Sequence, residues 1–324
     1  MSGMWGNNIR VSIFGESHGN AIGINIDGLP SGFHIDMDKV MVEMARRAPG
    51  KSPLSTPRKE GDIPEILSGY FEGKTTGTPL CAIIRNSNTK SKDYSKLKDV
   101  MRPGHADYTG AMRYDGFNDY RGGGHFSGRI TAPLVFAGAI CKQILESKGI
   151  SIAAHVNSIG SIKDKSFLDV DINEELILSF KGKELPLINS ELEEAMRQEV
   201  MNARKDMDSI GGTIECVVLG IKPGIGNPFF DSVESTLAHL MFSVPAVKGI
   251  EFGKGFDISK MRGSEANDEY YLDGKTIKTK TNNNGGILGG ITNGMPIVFK
   301  VAIKPTASIF KEQSTVNIAY NGGN

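Results

Sequence analysis

The chain carries a repeat of itself. An alternating segment at 22–26 (IGINI) leads through a Gly-Leu-Pro turn into a helical segment at 36–47, which stops at Ala48-Pro49-Gly50. In the second half a strand-like segment at 213–219 (TIECVVL), a Lys-Pro-Gly turn, a helical segment at 231–242 and Val244-Pro245-Ala246 follow in the same order. Period-two alternation marks strands and 3.6-residue periodicity marks helices, so each half reads as one α/β unit. The repeat therefore predicts an α+β fold: a duplicated β-α-β unit about a pseudo-twofold, with helices covering central β-structure. Further strands are expected at 9–14 and 296–303, and a long helix at 129–148 stopped by Gly149. Asp36 is placed to cap the first helix, and Ser190 with Glu193 to open another through Ala203. Residues 264–284 read as a long loop or hairpin. No linker-like composition divides residues 1–324, which are expected to form a single domain.

Composition narrows the function. Lys+Arg and Asp+Glu are equal at 37 each, a balance that argues against a dedicated nucleic-acid partner. The apolar run at Ala132–Cys141 is too short to cross a bilayer, and Met1–Gly15 lacks a secretory pattern, so no membrane partner and a cytoplasmic location are expected. Cys81, Cys141 and Cys216 lie far apart and read as reduced core thiols, with neither disulfide nor metal site. Glycine is in excess, 40 of 324 residues, and clusters at Gly122–Gly124, Gly285–Gly286 and Gly289–Gly290. Such clusters let backbone approach a ligand or another strand closely. Nine of the 12 arginines precede residue 130, among His18, His105 and His125.

Two segments resemble phosphate-binding P-loops and fail. ARRAPGKS at 45–52 and SGYFEGKT at 68–75 have Ala45 and Ser68 where the first glycine belongs. No G-x-G-x-x-G follows a strand. GESHG at 15–19 fits the serine-hydrolase elbow, which needs a helix after it, whereas NAIGINID alternates like another strand. His18, flanked there by glycine, has little core to pack into and is a site candidate. RPGHAD at 102–107 places Arg102, His105 and Asp107 on one short segment, the surroundings of a tuned acid or base. DYRGGGHFSGRIT at 119–131 leads three glycines into a helix start between Arg121 and Arg129, a site for a phosphate.

Together GESHG (15–19), RRAPG (46–50), RPGHADY (102–108), DYRGGG (119–124), GGILGG (285–290) and KPT (304–306) resemble the chorismate synthase family, in family order and along the whole chain. The resemblance implies a lyase that eliminates phosphate 1,4 from 5-enolpyruvylshikimate 3-phosphate to give chorismate, the last step of the shikimate route. It implies reduced FMN without net oxidation, with NADPH as an indirect reductant and a separate flavin reductase left open, and a homotetramer. By that analogy His18 protonates the leaving phosphate and His105 lies near the flavin ring. Ser17, Arg46, Arg47, Arg102 and Arg129 bind the phosphate and carboxylates. The flavin contacts His125, Phe126, Ser127, Pro245, Ala246, Gly289, Lys304, Pro305, Thr306, Ala307 and Ser308.

Two departures accompany the resemblance. His125-Phe126-Ser127 stands where many relatives carry Arg-Ser-Ser, and the family's Gly-Arg-His-Asp-Pro segment after KPT is not among these residues. A chain without that segment is expected to fold, bind flavin weakly and turn over slowly. The alternatives are a serine hydrolase using Ser17, or an FMN- or phosphate-binding module without turnover.

Overall fold

Both copies of the repeat become antiparallel sheets, and each copy is larger than its sequence signal. In a computed structural model, which describes residues 3–50, 61–87 and 98–321, the chain divides into two units, Met1–Ile144 with Ala307–Asn324, and Leu145–Thr306. The first runs β1 (Met4–Trp5), β2 (Arg10–Gly15), β3 (Ala21–Asp27), α1 (Met37–Arg47), β4 (Pro64–Ser68), the small hairpin β5 (Tyr70–Phe71) and β6 (Lys74–Thr75), β7 (Leu80–Arg85), α2 (Asp107–Arg113) and α3 (Thr131–Glu146). Its sheet has the order β1-β2-β3-β7-β4, every pair antiparallel.

Alternation sets the core of this unit. Ile22, Ile24 and Ile26 of β3 and Leu80, Ala82 and Ile84 of β7 point to one face, where they pack with Val40 and Met44 of α1 and Phe136 and Ile140 of α3. Asp36 caps α1 as its position predicts, accepting from the amides of Asp38 and Lys39 at 3.0 and 3.1 Å. Gln143 ties α3 to the same point: its Nε2 donates to the Asp36 carbonyl at 3.0 Å, and its Oε1 accepts from the Asp36 amide at 2.9 Å. Asp36→Ala is expected to cost about 1 kcal/mol of stability, read by chemical denaturation. An unchanged midpoint would show that the reciprocal Gln143 bonds hold the helix start without the cap.

The second unit runs β8 (Ser151–Ile159), β9 (Ile162–Lys163), α4 (Glu174–Ser179), α5 (Glu193–Lys205), β10 (Gly212–Leu219), α6 (Val233–Ser243), β11 (Val247–Phe252) and α7 (Gly263–Ala266). The hairpins β12–β13 (Tyr270–Asp273, Thr276–Thr279) and β14–β15 (Ile287–Leu288, Ile291–Thr292) follow, then β16 (Ile297–Ile303). Its sheet order is β11-β16-β10-β8-β9, again antiparallel throughout. In chain order β2-β3-α1-β4-β7 corresponds to β8-β10-α6-β11-β16, and in space β2-β3-β7-β4 corresponds to β8-β10-β16-β11. The duplicated β-α-β unit (β3-α1-β4 and β10-α6-β11) is thus present in both halves, extended by one strand at each end to ββαββ. The added strands cover both edges of β3 and β10, which would otherwise present unpaired backbone.

Helices and loops cover both faces of the second sheet. Val233, Leu237 and Met241 of α6 pack on Val247, Phe299 and Val301, while Phe167 and Phe180 pack on Val217 and Val298 of the opposite face. Along that opposite face His155, Glu215, Lys300 and Glu251 stand in register on four neighbouring strands. Their side chains meet in sequence: His155 Nε2 lies 2.9 Å from Glu215 Oε2, and Lys300 Nζ lies 3.9 Å from Glu215 and 3.2 Å from Glu251.

Some local expectations shift. Asn189, not Ser190, caps the segment leading into α5, accepting from the Glu191 amide at 3.2 Å. The stretch 264–284 holds the end of α7 and the β12–β13 hairpin, and α3 begins at Thr131 after a single 3-10 turn at Gly128–Ile130. Cys81, Cys141 and Cys216 are free, and burial, with Glu215 beside it, pushes the Cys216 thiol up to about 12. Among the described residues no helix is long and apolar enough to cross a membrane.

Candidate active site

The site grows from the turn between β2 and β3. Glu16–Asn20 reverse the chain, with the Gly19 amide donating to the Glu16 carbonyl at 3.1 Å. Ser17 is wholly buried and His18 is 8% exposed. Because strand β3 follows this turn, the helix required by a hydrolase elbow is missing and the Ser17 nucleophile reading loses its geometry. The turn is held from two sides. The Ser17 amide donates to the Gly124 carbonyl at 3.1 Å, and His125 Nδ1 lies 2.9 Å from the Gly15 carbonyl, which can only accept. On the other side Asn86, just past β7, donates from Nδ2 to the carbonyls of Glu16 and Gly19 at 3.0 and 2.8 Å.

The three glycines explain themselves here. Gly122, Gly123 and Gly124 have φ of 58°, 85° and 53°, a left-handed run open chiefly to glycine. A Cβ on Gly122 would fall 2.1 Å from His18 Cε1, and one on Gly123 would fall 3.1 Å from His105 Nε2. The loop is therefore a spacer that fits between the two histidines singled out by sequence. A side chain there would displace one ring or the other.

His105 is held by its own short segment. Arg102 donates from Nε and a terminal nitrogen to Asp107 at 2.7 and 2.8 Å, and His105 Nδ1 lies 2.6 Å from Asp107 Oδ1. A carboxylate only accepts, so Nδ1 carries the hydrogen and Nε2 is left facing Gly123. Burial alone would raise the Asp107 carboxyl, but Arg102 and His105 outweigh it and hold the group below the usual carboxylate range. A folded-state value below the unfolded one means the stabilisation is complete above about pH 5 and is lost as pH falls. Asp107→Asn is expected to lower kcat by up to about 10²-fold by loosening the His105 ring. Anaerobic turnover at saturating substrate measures this, and an unchanged kcat would remove Asp107 from the site.

The arginines divide by what they touch. Asp62, wholly buried and at a positive φ of 48°, sits between Arg47 and Arg129 and pairs with both. Arg129, its side chain 2% exposed, also donates from Nε to Asn86 Oδ1 at 3.0 Å and from a terminal nitrogen to the Arg85 carbonyl at 3.4 Å. Arg47 is more open and reaches the Gly128 carbonyl at 3.4 Å. Arg46, half exposed, pairs with Glu43 at 2.7 Å on the helix surface. Arg121 is held by Asp119 through bonds of 2.9 and 2.7 Å.

The expected flavin residues scatter over several environments. Ser127 accepts from the Arg129 amide at 3.2 Å, and Phe126 packs against α2, where a Cβ on Gly110 would lie 2.6 Å from its ring. Ser308 Oγ is 3.4 Å from Arg102, next to Ala307. Within the second unit the Lys304 amide donates to the carbonyl of Ala246 at 2.9 Å, so 304 and 245–246 meet. Pro305 lies over Gly211, and the Thr306 carbonyl accepts from Ser209 Oγ at 2.7 Å. Gly289 does not join them. Its neighbour Gly290 approaches Ser232 at the start of α6, whereas Pro245 follows the far end of that 11-residue helix, about 16 Å of rise away. Asp62 and Asn86 are the residues that sequence reading missed; no local pattern marks either one.

Comparison with known proteins gives the family. The description of the family profile that matches residues 9–323 is chorismate synthase. Chorismate synthase of Methanococcus aeolicus is 47% identical over 97% of this chain and 86% of its own length. The enzyme of the same name from Thermococcus kodakarensis is 44% identical, with 97% and 86% covered. A crystal structure of chorismate synthase superposes with a TM-score of 0.75 at 32% identity, covering 92% of this chain and 85% of that one. Ordered motifs from one end of the sequence to the other, a matching fold and relatives of one name place the chain in the chorismate synthase family of lyases.

Proposed function

We propose that the chain forms chorismate from 5-enolpyruvylshikimate 3-phosphate by 1,4-elimination of phosphate, with reduced FMN bound and unchanged overall. The observation that carries this reading is the glycine loop with His18 on one side and His105 on the other. In the elimination the allylic C–O bond breaks with its electron pair leaving on phosphate, while a ring C–H bond breaks with its electron pair shifting into the new diene and its proton passing to a base at the site, which balances the proton given to phosphate. His18 hands a proton to the departing phosphate oxygen, which spares the site a more basic product. Arg47, partly open beside Asp62, binds anionic oxygen through its remaining donors. Arg129 supports that pair from behind, with three of its five donors on Asp62, Asn86 and the Arg85 carbonyl.

The residues of the first unit suit a flavin. His105 is partly exposed at the glycine loop, Ser308 rests on Arg102, and a Cβ on Gly128 would meet only open space. Reduced flavin, when bound, supplies electron density to the reacting centre. His105 and Ser308 would hold its polar edge, with the Arg102–Asp107 pair fixing both. Chorismate formation by the purified chain with added reduced FMN under anaerobic conditions tests the reading; phosphate release without chorismate would overturn it. We carry the homotetramer over from the family, and a monomer by sedimentation at micromolar concentration would remove it.

A further inference from the structure

We infer that Asn86 is a positioning residue for His18: its amide fixes the turn that carries the imidazole and couples that turn to the buried Asp62–Arg129 pair. The inference rests on the proposed role of His18 in the elimination. Asn86 Nδ2 donates to the carbonyls of Glu16 and Gly19, the two residues that bracket Ser17 and His18, and its backbone amide donates to the Asn20 carbonyl at 3.1 Å. Its Oδ1 accepts from Arg129 Nε at 3.0 Å. Carbonyls only accept and a guanidinium only donates, so the orientation of the amide is fixed by its partners. One planar group thus makes two donations and one acceptance, a set no other side chain of this length provides.

Loss of that grip moves His18 in a direction the loop does not allow. On its far side the ring lies where a Gly122 Cβ would be only 2.1 Å away, and the Ser17 amide is already committed to Gly124. A turn freed from Asn86 either presses the ring into the glycine loop or carries it off. A misplacement of about 1 Å in a proton donor costs as much as about 10²-fold in rate.

The test uses Asn86→Asp, Asn86→Leu and Asn86→Ser in the full chain. Asp keeps an acceptor for Arg129 but gives up both donations, Leu gives up all three bonds, and Ser keeps one donor. Anaerobic turnover with chemically reduced FMN is expected to show kcat about 10²-fold lower for Asp and Leu, an intermediate loss for Ser, and KM near its original value. The NMR titration of the His18 ring is expected to move in the Asp variant. Added to His18→Ala, Asn86→Asp is expected to cost nothing further, because residues acting through one another are non-additive. Full kcat with an unmoved His18 titration, or losses that multiply in the double variant, would overturn the inference. If His18→Ala itself turns over normally, the proposed function falls instead, and the His18 titration in Asn86→Asp still decides whether the clasp exists.

Discussion

His18→Ala and His105→Ala are each expected to lower anaerobic chorismate formation by ~10²–10⁴-fold while leaving the fold in place. The two losses have different origins. His18 is nearly enclosed beside Gly122, and in the proposed role its removal leaves no proton for the leaving phosphate. His105 is anchored at 2.6 Å to Asp107, so its removal frees a carboxylate that Arg102 alone then holds. Neither ring is part of the apolar core of its unit, which keeps circular dichroism and the denaturation midpoint close to the parent. Rates equal to the parent in both variants, with reduced flavin supplied, would end the assignment of either histidine to the chemistry.

Glu215→Leu is expected to destabilise the second unit by about 3–5 kcal/mol, the cost of removing one partner from a buried charged set. Glu215 is wholly buried and accepts from His155, from Ser166 Oγ at 2.6 Å and from the Phe167 amide at 2.6 Å. Leucine would leave those donors and Lys300 facing hydrocarbon. Burial pushes the Glu215 carboxyl up, but the bonds from His155, Ser166 and Phe167 together bring it below its ordinary value. A lowered folded value stabilises above the unfolded pKa near 4.3 and weakens as pH falls through it. The parent chain should therefore lose stability below about pH 5, and the leucine variant should show a flatter acid limb. Urea midpoints between pH 3.5 and 7 measure both; a variant equal to the parent would mean the ladder contributes nothing.

Local signals in the sequence carried well into the structure where the relevant contacts are local. The Asp36 cap, the alternation of β3 and the Arg102–His105–Asp107 group each join residues only a few positions apart, so period and spacing announce them. The strand Ser151–Ile159 was not expected, because SIAAHVNSI mixes small and polar residues whose inward partners, Glu215 among them, arrive from another strand. Asp62 and Asn86 escaped for the same reason: their meaning lies in Arg129 and in the Glu16–Gly19 turn, 43 to 70 residues away. Arg129 looked like a ligand for phosphate from its place beside the glycines. The fold adds that a carboxylate, an amide and a carbonyl take three of its five donors.

The matched topology of the two sheets has a consequence for how such a chain can diversify. The connection from β2 to β3 is the short turn bearing His18, whereas the equivalent connection, from β8 to β10, spans residues 160–211 with two helices and a strand. Chain closure penalises length only logarithmically, so a tenfold longer connection costs about 2 kcal/mol before its own packing is counted. A doubled topology therefore tolerates one short corner and one long one at little cost in closure. The same corner of one shared topology thus carries the turn of the candidate site in one half and a long insertion in the other.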